Sequence, residues 1–207
     1  MQGETQDDAR SLARVRGNRG LTRRSGAIAR LARKLAQQAR EVQRADDLEV
    51  VFPDRNLEAA VRQRLEKTEG PLTRGDLKGM EELRRGTLTF IMDLTGLEHA
   101  VNLTVLSLRR NGISDVSPLA SLTNLTRLDL EGNQISDVSP LASLTNLTKL
   151  SLRENQVSDV SPLASLTELA WLALWQNQIS DVSPLASLTE LISLSLDENQ
   201  VSDVSPL

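Results

Sequence analysis

From Leu103 onward the apolar and polar positions recur with a period of 22 residues. Copies begin at Leu103, Leu125, Leu147 and Leu169, and a fifth runs from Leu191 to Leu207. The second reads LTRLDLEGNQISDVSPLASLTN. Leu occupies places 1, 4, 6, 17 and 20, Asn place 9, Ile or Val place 11 and Val place 14. The first six places alternate, which is the period of a strand, so Leu128 and Leu130 are expected to point inward and Arg127 and Asp129 outward. A single copy cannot close its own apolar face. Stacked copies can, and the period predicts a solenoid with one parallel strand per repeat.

The remainder of each copy, SDVSPLAS, has to return the chain to the next strand and is too short for a full α-helix. Ser117 before Pro118 is expected to cap a single helical turn, because Pro lacks the N–H that would be unpaired there. Short 3₁₀ or extended pieces on the outer side stand wider apart than the ~4.8 Å between paired strands, which places the sheet on the concave face. The fold class is therefore an α/β solenoid. The Asn column (Asn111, Asn133, Asn155, Asn177, Asn199) falls where the strand turns away, and an amide that donates and accepts suits buried turn groups there. The Asp column from Asp115 to Asp203 provides one carboxylate per layer, too few for calcium and well placed to hold turn amides.

Upstream, Asp54 follows Pro53 and precedes Leu57, Ala60, Val61 and Leu65 at helical spacing, marking an N-cap and an apolar face that seals the first repeat. Gly70 and Pro71 are expected to end that helix. Thr73 and Asp76 form the pattern of a capping box that opens a second short helix, running through Leu77 to Met80 or Leu83. Gly86 to Leu103 reads as a worn repeat. Its Asp93-Leu94-Thr95-Gly96-Leu97 matches Asp115 to Leu119 one period on, while its upstream apolar residues are out of register. The division expected is a basic leader at 1–49, a helical cap at 50–85 and repeats at 86–207. In the leader, Ile28, Leu31, Leu35 and Val42 lie on a thin helical stripe flanked by Arg30, Arg33, Lys34 and Arg40, and residues before it have the composition of a solvated segment.

The phrase LxxLxLxxNxISDVSPLASLTN resembles the 22-residue leucine-rich repeat of bacterial internalin-like proteins, and FPDRNLEAAVRQRL at 52–65 is similar to the helical cap that precedes those repeats. The resemblance spans Phe52 to Leu207. It implies a curved leucine-rich repeat domain, exported and displayed on the cell surface, that binds other proteins on its concave side. It implies no catalysis.

Composition narrows the chemistry further. The 207 residues include no Cys and no Tyr, two Trp, two Phe and one His, so neither a disulfide framework nor a thiolate metal site is available. Residues 10–44 hold eleven Lys or Arg against the single Glu41, so this segment carries +10 and the rest −14 of a net −4. A basic segment of that kind suits nucleic acid or an anionic membrane surface, and any such binding is confined to residues 10–44. No apolar run in the first fifty positions has the length of a secretory signal. That absence and the exported habit implied by the resemblance leave the compartment open. No Gly-rich phosphate loop, HExxH or GxSxG is present, and His99 maps to the outer-side place of Ser121. No cofactor, metal or enzymatic activity is expected.

Differences between copies fall on the outward strand places. Place 3 runs Val105, Arg127, Lys149, Trp171, Ser193, and place 7 runs Arg109, Glu131, Arg153, Trp175, Asp197. Adjacent members lie about 5 Å apart, so Arg109, Glu131 and Arg153 are expected to form an alternating ladder and Lys149 to lie against Trp171. Two Trp on outward places of one strand suggest a contact surface, since Trp is enriched in binding hot spots; the competing reading has the indoles merely covering adjacent strands. The expected site comprises Trp171 and Trp175 as anchors with Arg109, Arg127, Glu131, Lys149, Arg153 and Asp197 around them, binding another protein. The alternative places function in the basic leader, with the repeats as scaffold. Because the fifth copy stops at Leu207, Leu191, Leu194, Leu196, Val201 and Val204 are expected at an end face covered by more of a longer protein or by a second molecule.

Overall fold

The computed structural model describes residues 28, 30–85 and 90–207. Two compact units divide at Asp46. In the first, residues 30–46 form helix α1, on which Leu31, Leu35 and Val42 are exposed, as is Ile28 just before it. The solvated segment expected before α1 falls outside the described residues. No described helix is long and apolar enough to cross a membrane.

The second unit is the solenoid with its cap. Six strands, β1 (Glu82–Arg85), β2 (Val105–Leu108), β3 (Arg127–Asp129), β4 (Lys149–Ser151), β5 (Trp171–Ala173) and β6 (Ser193–Ser195), form one sheet in sequence order. Every neighbouring pair is parallel. From β2 to β6 the register follows the period, Val105 opposite Arg127, Arg127 opposite Lys149, and Lys149 opposite Trp171. The inward leucines Leu106, Leu128, Leu150 and Leu172 stack as one core column with Leu108, Leu130, Leu152 and Leu174 beside it.

The sheet also reaches back into the stretch that the sequence assigned to the cap. Leu83 belongs to β1 and lies opposite Leu106, with Glu82 opposite Val105. The second cap helix, α3 (Arg74–Lys78), accordingly stops short of Met80 and Leu83. The offset between β1 and β2 is 23 residues, whereas Asp93 and Asp115 are 22 apart. One additional residue between strand and turn throws the upstream leucines of the worn copy out of register. In that connection Ile91 is buried while Phe90 and Met92 are exposed.

The cap itself follows its sequence signals at the N-termini and departs from them at both C-termini. Helix α2 (Arg55–Leu65) buries Leu57, Ala60 and Val61. Asp54 accepts from the Asn56 and Leu57 amides at 2.8 and 3.0 Å, and its other carboxylate oxygen accepts from Met92 and Asp93 at 2.7 and 3.2 Å. One side chain thus caps a helix and pins the worn repeat to it. Helix α3 (Arg74–Lys78) opens on the Thr73–Asp76 capping box, and Lys67 adds an ion pair to Asp76 at 2.6 Å. Contrary to expectation, α2 ends before Gly70. Glu66 takes the left-handed conformation (φ 53°), and the Lys67 amide reaches back to the Arg62 carbonyl at 3.0 Å, which closes the free carbonyls without a glycine. Gly96 occupies the place that Pro118 fills one period later, at φ 100°, where a Cβ would stand 2.8 Å from the Phe52 ring.

The returns are five-residue 3₁₀ turns, Ser117–Ser121, Ser139–Ser143, Ser161–Ser165 and Ser183–Ser187. Ser117 does not cap its turn. Val116 is the boundary residue, and the Asp115 carboxylate accepts from the Ser117 amide at 2.8 Å. Asp137, Asp159, Asp181 and Asp203 repeat that bond. Carboxylate and amide two residues apart close an Asx turn, which leaves Ser at the first helical position rather than at the cap. The Asn column is buried at its centre, and Asn155 is representative. Its Nδ2 donates to the Leu130 and Leu152 carbonyls, and its Oδ1 accepts from the Ile135 amide, so it joins two layers. At the end of the stack Leu191, Leu194, Leu196 and Val201 pack partly on the core, and Val204 and Leu207 are exposed.

Candidate functional site

The outward strand places line the concave face, and three features decide what each side chain there can do. The first is covering. Arg127 and Lys149 are exposed, Trp171 and Trp175 are half-buried, and the small place-5 residues between the two columns form the floor. The indoles therefore lie on the concave surface, outside the leucine core, with part of each ring covered by its surroundings. Asp197 is exposed on β6's side of them and accepts from the Ser195 hydroxyl at 3.3 Å.

Pairing is the second feature, and it differs from the sequence reading. The ladder Arg109–Glu131–Arg153 is reduced to one loose rung, with Arg109 Nη2 3.9 Å from Glu131 Oε2. Arg109 instead donates from Nε to Asp129 Oδ2 at 2.6 Å. That hydrogen bond raises the guanidinium pKa further and outweighs the opposing effect of burial. Asp129 is only 5% exposed although it points to the concave side, because Arg109 lies over it. It was missing from the expected site. An Asp in a column that otherwise reads Ser107, Ser151, Ala173, Ser195 was the available signal.

The third feature is the aromatic contact. Lys149 stands opposite Trp171 in register, yet the cation over the ring is Arg153, with its guanidinium carbon 5.3 Å from the centroid. A planar guanidinium stacks on an indole face with less loss of hydration than an ammonium, so the diagonal neighbour takes the ring and Lys149 stays in water. This also explains why Arg153 leaves Glu131.

Between β2 and β5 these residues enclose a depression of about 150 Å³ lined by Arg109, Arg127, Asp129, Lys149, Ser151 and Trp171. A larger open groove of about 620 Å³ runs along the side where the chain enters the strands. Several of its polar groups are engaged between layers: Asn124 and Asn146 donate to Val101 and Thr123 carbonyls, and Thr126 and Thr148 to Thr104 and Thr126 carbonyls. His99 is half-buried in the first 3₁₀ turn, 3.7 Å from Glu98. Among the described residues no cluster of three or more His, Cys, Asp or Glu is arranged to hold a metal ion.

Comparison with known proteins agrees with this architecture. Residues 101–143 match the family model for leucine-rich repeats in two copies, and residues 143–161 match a single leucine-rich repeat. No curated protein sequence matches significantly. Among solved structures, the chain is similar to the internalin InlF of Listeria monocytogenes, with 34% identity and a TM-score of 0.63 over 77% of this chain and 55% of that one. It is similar to internalin C2 of the same organism, with 35% identity and a TM-score of 0.52 over 76% of this chain and 89% of that one. The functional domain of InlJ, also from L. monocytogenes, includes a cysteine ladder and matches at 25% identity and a TM-score of 0.58, over 74% of this chain and 38% of that one; the present chain has no Cys. The chain spans about half of the InlF structure and most of the internalin C2 structure. With its period, its parallel sheet, its helical cap and these matches, the chain belongs to the internalin-like leucine-rich repeat proteins.

Proposed function

We propose that the concave face is a protein-docking surface, with Trp171 and Trp175 as apolar anchors and Arg109, Arg127, Glu131, Lys149, Arg153 and Asp197 providing charge complementarity. The leucine-rich repeat fold of this family generally supports protein interaction. The observation that carries the finer reading is the position of both indoles, on outward places of one strand and incompletely covered. The part of each indole left in water adds nothing to the stability of its own fold, yet offers a rigid apolar area to a partner at small entropic cost. The role is binding without turnover.

The test is affinity selection from an unbiased protein-loop library on the 207-residue chain. Selected binders are expected to lose at least tenfold in affinity for the double variant Trp171→Ala, Trp175→Ala, because truncation of a hot-spot residue costs about 2 kcal/mol or more. They are expected to bind a convex variant, Ser139→Lys, unchanged. Binders indifferent to the loss of both indoles would refute the anchors. A second reading attaches to α1, whose exposed Leu31, Leu35 and Val42 beside basic residues suit an anionic surface. It predicts binding to anionic vesicles that weakens with salt and vanishes when residues 1–46 are removed.

A further inference from the structure

We infer that the depression between β2 and β5 is a receptor for an acidic side chain, Glu or Asp, presented by the partner protein that the concave face binds. The inference rests on the docking reading and adds the chemistry of one contact. Its first support is an unmet hydrogen-bonding group. Ser151 is 2% exposed, lines the depression, and its hydroxyl has no partner. A buried hydroxyl left unpaired costs free energy, and each such group in a folded protein calls for an explanation. The Arg153 Nε is likewise buried without an acceptor while its guanidinium lies over Trp171, which walls the same depression.

The second support is charge. Arg127 and Lys149 stand opposite each other on adjacent strands, and neither enters an ion pair among the described residues. Like charges directly opposite in a sheet repel. Arg109 does not add to the excess, because Asp129 neutralises it at 2.6 Å. Counting Arg109, Arg127, Lys149 and Arg153 against Asp129 and Glu131, the patch is net positive in a chain whose net charge is −4. The unpaired Arg153 Nε can only donate, the Ser151 hydroxyl can donate, and Arg127 and Lys149 are cations, so a group that accepts hydrogen bonds and carries negative charge answers all of them. A carboxylate between Arg127 and Lys149 would relieve their repulsion and accept from Ser151, while Trp171 faces the methylenes of the acidic side chain. The depression, at about 150 Å³, has the scale of one side chain, and its opening onto the concave face suits a residue held by a larger partner.

The test uses the full chain and the emission of its two Trp, both on the concave face. The probes are a blocked hexaglutamate peptide, a blocked hexaglutamine peptide, free glutarate and inorganic phosphate. Hexaglutamate is expected to bind and shift the emission, and hexaglutamine is not. Arg127→Gln with Lys149→Gln should weaken hexaglutamate about tenfold or more, and Ser151→Ala about threefold to tenfold, in line with hydrogen bonds to a charged group. Equal binding of hexaglutamine overturns the inference. So does hexaglutamate binding that persists in the R127Q/K149Q variant, which would assign it to the basic segment at 10–44. Glutarate or phosphate binding as tightly as the peptide would make this a small-anion site and likewise overturn it. Failure here, with library binders still sensitive to Trp171 and Trp175, would leave the docking reading standing; the reverse result would remove the anchors and keep the acidic contact.

Discussion

The two faces of the solenoid are built from the same repeats and treat their polar groups differently. On the convex side the segment SDVSPLASLT is identical in the four complete copies, and its side chains are closed on one another. Each Asp of the column holds the amide two residues on, and Ser143, Ser165 and Ser187 donate across layers to the Ala120, Ala142 and Ala164 carbonyls at 2.7 to 2.9 Å. On the concave side the outward residues change from copy to copy. Among the described residues Arg127 and Lys149 have no anionic partner, and Ser151 has no hydrogen-bond partner. Bonding within and between layers sustains the stack and engages much of the polar surface of the turns. Outward strand places are not needed for stacking, so they are free to serve recognition.

The sharpest way to break this contrast is to exchange the costs. Asn155→Ala removes the acceptor of the buried Ile135 amide and donors shared by three carbonyls, and is expected to destabilise the repeats by about 2–3 kcal/mol. Lys149→Ala, on an exposed concave place with no ion pair among the described residues, should stay within about 0.5 kcal/mol. Urea unfolding followed by circular dichroism compares them directly, and similar losses would erase the distinction drawn between stacking and surface places.

A smaller effect is expected at the cap. Burial opposes ionisation of Asp54, but the amides of Met92, Leu57, Asp93 and Asn56 outweigh it, so its pKa lies below the ordinary 3.8. A carboxylate with a lowered folded pKa contributes stability above its unfolded value, and that stability is lost as pH falls through the folded value. Asp54→Ala should therefore cost about 1–2 kcal/mol at pH 7, and the urea midpoints of the parent and the variant should draw together as the pH falls below the ordinary carboxylate value and through the lowered folded one. A gap that is constant with pH would mean that packing, rather than the charge-assisted cap, is what was lost.

The smallest effect is at place 8, where Arg110, Glu154, Gln176 and Glu198 adopt φ between 52 and 55° and Gly132 takes 71°. Only Gly132 is suited to that region. Glu154→Gly should raise the urea midpoint by the equivalent of about 0.5 kcal/mol, strain relieved less the extra flexibility of the unfolded chain.

Place 8 also shows the limits of what the sequence displays. The strand, its register and the inward leucines were legible because alternation and a fixed period constrain burial, and the Asn ladder because a buried amide needs partners on both sides. The left-handed turn was not legible, since four of its five residues are ordinary L-residues held there by the bonds of neighbouring layers. The strand β1 was hidden by one additional residue before Asp93, and the Glu66 cap by a backbone bond that no side chain announces. In the site, positions were readable and pairings were not. Arg153 had an acidic neighbour in its own column and an indole on the diagonal, and only three-dimensional packing decides between them. Asp129, counted as one more outward residue, turned out to be the partner that takes Arg109 out of the ladder.

Oxidative footprinting of the chain bound to a library-selected partner tests the central claim most directly. Trp171 and Trp175, partly exposed in the free protein, are expected to become protected on complex formation while the Ser-Pro-Leu turns of the convex side keep their reactivity. Unchanged oxidation of both indoles, with protection confined to the turns, would contradict it.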